Sequence, residues 1–84
     1  MNKSVTNQLN YELQNYNIME YFMNESIRLL VKNDIDLKKH PSIQLCLDSL
    51  YFYMDLYETG NSSCARVASE ACTLHSFILE ACRP

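Results

Sequence analysis

Apolar residues Val5, Leu9, Leu13, Tyr16, Met19, Met23, Ile27 and Leu30 recur at steps of three and four, which places them on one face of a helix. The pattern predicts a first helix over about 8–32, longer than either helix that follows. Asn7, Asn10, Asn15 and Asn17 weaken its first third, because asparagine competes for backbone hydrogen bonds in a helix interior, so residues 1–8 are expected to fray. Glu12 and Glu20 sit beside the stripe and narrow it. A second line, Tyr11, Ile18, Phe22 and Leu29, follows heptad-like spacing on roughly the opposite side and suggests a further contact surface.

The periodicity stops between Asn33 and Pro41. Asp34 and Asp36 are turn formers, Leu37 is expected to tuck beneath the loop, and Pro41 disfavours helical geometry at His40 while opening a new helix well. A second helix over 42–58 carries Ile43, Cys46, Leu47, Leu50, Tyr53, Met54 and Tyr57 on its main stripe. Leu45, Phe52 and Leu56 lie nearly opposite, beyond a polar wedge of Gln44, Asp48, Asp55 and Glu58. A helix apolar on two sides is either sandwiched within its own domain or meets a partner.

Gly60, the only glycine, supplies the left-handed conformation that ends a helix, and Asn61, Ser62 or Ser63 can cap the next. The third helix, over 63–81, is expected to bury Cys64, Val67, Ala68, Ala71, Cys72, Leu74, His75, Ile78 and Cys82, and to leave Phe77 on its polar side. Small residues in its first half face the aromatic end of the second helix, which lets the two approach closely. The expected architecture is all-α: a single three-helix domain with a long first helix and an antiparallel C-terminal hairpin.

Composition narrows the possible functions. Apolar residues make up 48% and charged residues 20%, ordinary for a folded chain, and 84 residues suffice for one modest core. A net charge of -3 gives no electrostatic reason to expect nucleic acid as a partner. The basic run Lys38-Lys39-His40 is offset by Asp34 and Asp36. The longest apolar runs are too short to cross a bilayer, and no apolar core of a signal peptide follows the N-terminus, so a cytoplasmic protein with reduced thiols is expected.

One glycine excludes the phosphate-cradling loops. Across the hairpin, Cys46, Cys72 and His75 fall near one layer and are the candidates for a metal or redox site. Their spacing lacks a CxxC pair and a fourth ligand, and cysteine often serves as a small buried hydrophobe. The paired carboxylates read as turn chemistry and solvated helix face, and the aromatic set Tyr51, Phe52, Tyr53 and Tyr57 lacks the interleaved Arg or Lys of a base-stacking surface. No catalytic residue, cofactor or small-molecule substrate is expected.

Leu56-Tyr57-Glu58-Thr59-Gly60-Asn61, followed by Ala65, Ala68 and Cys72, resembles a tetratricopeptide-like helical hairpin. Thr59-Gly60-Asn61 with Cys64 and Ala68 is similar to a stretch of the needle-subunit chaperones of type III secretion systems, with one extra serine before Cys64. The resemblance covers about a fifth of the chain and implies a small helical protein that keeps a secreted subunit monomeric. From the residues themselves, the expected role is a non-enzymatic adaptor, chaperone or regulator. It would bind a helical protein or another copy of itself through Tyr11, Ile18, Phe22, Leu29, Leu45, Phe52, Leu56 and Phe77. A chaperone of a secreted subunit and a Cys/His metal or redox regulator are the alternatives.

Overall fold

The computed structural model describes the backbone of residues 3–83 and the side chains of residues 9–83. The core position expected of Val5 falls outside the described side chains, while the backbone of residues 3–8, expected to fray, is helical. Three α-helices follow one another: α1 (Lys3–Lys32), α2 (Pro41–Glu58) and α3 (Cys64–Ala81), with a single 3₁₀ turn at Leu37–Lys39 between the first two. At 1.5 Å per residue α1 is about 45 Å long and the others about 27 Å.

Each helix end is closed by its own sequence. Gly60, at φ 80°, ends α2 by donating its N–H to the Tyr57 carbonyl while Asn61 N–H reaches back to Leu56, the paired bonds of a Schellman motif. Ser63 then caps α3, its Oγ accepting from Arg66 N–H at 3.2 Å. The end of α1 repeats the device without glycine: Asp34 adopts φ 49°, its N–H bonds Val31, and Ile35 N–H bonds Leu30. Asp36 caps the 3₁₀ turn through Lys38 N–H, and Pro41 opens α2.

The helices run up, down, up. Tyr53 meets Arg66 and Tyr57 meets Cys64, so α2 and α3 are antiparallel. Glu12 lies near Cys64 and Phe22 stacks on His75, so α1 and α3 are parallel. The helix in the middle is α3: it packs against both others, whereas among the described residues the α1 and α2 backbones do not touch. Of the two readings of α2, the sandwiched one is not met: its back carries exposed Leu45 and Phe52 and meets no third helix among the described residues.

The core gathers Met19, Ile43, Leu50, Cys64, Val67, Ala68, Ala71, Leu74 and Ile78. On α1 its line runs between the two apolar stripes read from the sequence. Met19 and Ser26 are buried, Phe22, Met23, Leu29 and Leu30 straddle them, and Leu9, Leu13, Tyr16 and Ile27, expected inside, are exposed. The reason lies in α3, which offers Cys64, Ala68 and Ala71 where α1 crosses it. A surface of small residues admits the narrow Asn15–Met19–Ser26 strip and pushes the bulky flanks to either side. Cys72 is also a correction: it is exposed rather than buried, since it sits about 100° round the helix from fully buried Ala71.

Candidate interaction surface

The structure distributes the eight sequence-predicted contact residues unevenly. Tyr11 and Ile18 are exposed on one flank of α1. Phe22 and Leu29, on the same flank, are partly buried against the core, and Phe22 packs on the His75 ring at 5.0 Å between centroids. Leu45 and Phe52 stand exposed on the back of α2, Leu56 is half-buried, and Phe77 is exposed beside the Lys39–Ile43 segment where α2 begins.

Sequence reasoning placed Leu9, Leu13, Tyr16 and Ile27 in the core, yet they form the more continuous exposed surface. Glu12 lies near Cys64 at the start of α3, so the nine α1 residues before it, 3–11, run beyond that end of α3 by roughly 13 Å. Below that overhang the flank continues into a cleft of ≈ 320 Å³ between α1 and α2, lined by Tyr16, Met19, Met23, Met54 and Tyr57 with Glu20, Asn24 and Glu58 on its rim. Farther down, Ile27 and Tyr51 cover the core from opposite walls, with Leu74 of α3 beneath. The signal that could have found this surface is the small-residue composition of α3, which decides which face of α1 turns inward.

The two walls are held differently. On the α2 side, Arg66 donates to the Tyr53 hydroxyl at 2.9 Å, lies over the Tyr53 ring at 4.3 Å and pairs with Glu70 at 3.2 Å. Burial pushes the Cys64 thiol above its ordinary range, partly offset by the adjacent Tyr57 hydroxyl, and Tyr57 is raised chiefly by Cys64. Both groups therefore stay protonated here to higher pH than in the unfolded chain. Their contribution to stability is complete below the ordinary thiol range and declines as pH rises through and above it. On the α1 side no such clamp operates among the described residues: Ser26 is 1% exposed and its Oγ has no hydrogen-bond partner, nor does the buried Asn15 Nδ2.

The candidate metal and redox residues do not converge. Cys46 lies near Glu70 on the α2 side, where burial raises its thiol, Cys72 faces outward, and His75 is taken up by Phe22. Among the described residues no three His, Cys, Asp or Glu side chains come together in a way that could hold a metal ion. No helix there is long and apolar enough to cross a membrane. Comparison with protein-family models, curated proteins and solved structures finds no match to this chain.

Proposed function

We propose that the chain is a non-enzymatic interaction module that pairs its apolar helix flanks with another helix, supplied by a partner protein or by a second copy. One observation carries this reading: among the described residues, the large apolar side chains Leu9, Leu13, Tyr16 and Ile27 stand exposed along α1 beside the α1–α2 cleft. Apolar surface in a continuous strip, rimmed by Asn24, Glu20 and Glu58, has the form of a groove that receives an amphipathic helix. A chaperone that keeps a secreted subunit from aggregating is the version suggested by the hairpin resemblance, and an open groove suits that task.

Position-specific photo-crosslinking in the source cell tests the proposal. A photoreactive residue in place of Leu13 is expected to yield a discrete protein adduct. The same residue in place of Ser76, on the polar outer face of α3, is expected to yield none. Equal labelling at both positions, or none at either, overturns the reading.

A further inference from the structure

We propose that the occupant of the α1 flank is α1 of a second copy, laid antiparallel across a two-fold axis near the middle of the helix. The inference rests on the reading of α1 as an interaction surface and names the partner. Leu9, Leu13, Tyr16, Glu20, Met23, Ile27 and Leu30 alternate by four and three residues, the a/d repeat of a coiled-coil seam, with Glu20 as its one polar member. Within the chain this seam is only half covered: Met23 and Leu30 touch the core, while Leu9, Leu13, Tyr16 and Ile27 are between 45% and 65% exposed.

Glu20 selects the partner and the register. A carboxylate inside an apolar seam needs a donor, and among the described residues it makes no ion pair. Reversing the helix on itself so that Tyr16 faces the other copy's Glu20 supplies that donor twice, once on each side of the axis. The same register sets Leu13 against Met23 and Leu9 against Ile27, so between positions 9 and 27 the layers other than the Tyr16–Glu20 pair are apolar. It also centres the pairing within a residue of the midpoint of Lys3–Lys32, and the two α1 helices overlap along almost their whole length. A two-fold contact requires this self-complementarity, which an unrelated partner would not impose.

Area and exposure agree with this assignment. Leu9, Leu13, Tyr16 and Ile27, with Tyr51 of α2, present on the order of 600 Å² of largely apolar surface per chain, against the ~800 Å² per partner of a stable interface. Leu9 and Tyr11, in the early turns of α1, are exposed in the single chain, and pairing places Leu9 against the Ile27 end of the other α1.

Sedimentation equilibrium and circular dichroism of the purified chain test this directly. The expected result is a dimer at micromolar concentration whose helix content falls on dilution. Glu20→Lys, which sets two lysines near the axis, should weaken association more than about 100-fold. Tyr16→Phe should weaken it about 10-fold by stranding the facing carboxylate, and Tyr16→Phe with Glu20→Leu should restore it. In a Cys72→Ser background, Leu13→Cys mixed with Met23→Cys should form a disulfide-linked pair that Leu13→Cys alone does not. A monomer at about 100 µM, or a dimer indifferent to Glu20→Lys, overturns the proposal. A monomer that still crosslinks through position 13 to a different protein removes the dimer and leaves the interaction reading standing.

Discussion

The two interfaces of α3 are built on different principles. Against α2 it presents a sequence-local hairpin, closed by a glycine turn and a serine cap and then locked by Arg66 on Tyr53. Against α1 it presents small side chains, and the α1 residues drawn closest include a buried serine with no partner. The first interface gains from directional bonds between neighbours in sequence. The second depends on close approach, and leaves a polar atom stranded as its cost. Directional contacts tolerate small changes in volume; a close-approach contact does not.

That contrast can be broken most severely at Ala68, two turns before His75 on the face that meets α1. Ala68→Leu should lower stability by about 1–3 kcal/mol through overpacking, read as a shift of the urea midpoint, and should release α1 before the hairpin opens. A smaller effect is expected at the hairpin turn. A Cβ at Gly60 would meet nothing within 4 Å, so Gly60→Ala costs only the left-handed backbone, about 1 kcal/mol, and thermal denaturation should show a loss without rearrangement. Smallest, and opposite in sign, is Ser26→Ala: it removes the unpartnered hydroxyl and improves helix propensity, for a gain of up to about 1 kcal/mol in the same urea titration. A loss at Ser26 would mean that its hydroxyl is satisfied in solution, and the two interfaces would be more alike than their contacts indicate.

Much of the fold was legible in the sequence because it is encoded locally. Periodicity marks three helices, and Pro41, Gly60 and Ser63 place their boundaries within a residue or so of those observed. The inward face of α1 was not legible, since two apolar stripes flank a polar-looking strip and only the shape of α3 chooses among them. For the same reason Leu13 and Ile27 read as core, and Phe22 and Leu29 as outer surface. Asp34 read as a turn former, but nothing at that position announced a left-handed cap where glycine would be the default. The burial expected of Cys72 failed on a rotation of one residue. The candidate surface was thus visible as excess apolar pattern on α1, and its correct side became visible only with the packing of α3.

The central position of α3 also sets the timing of folding. During synthesis α1 and α2 emerge first, yet among the described residues their backbones do not approach closely, so close helix packing waits until α3 follows. At about 5–20 residues per second, the finished α2 waits on the order of seconds before the helix that organises it is complete. Throughout that interval the nascent chain displays amphipathic helices without a core. That interval is when the nascent chain has least of its own structure to shield it from proteases and aggregation.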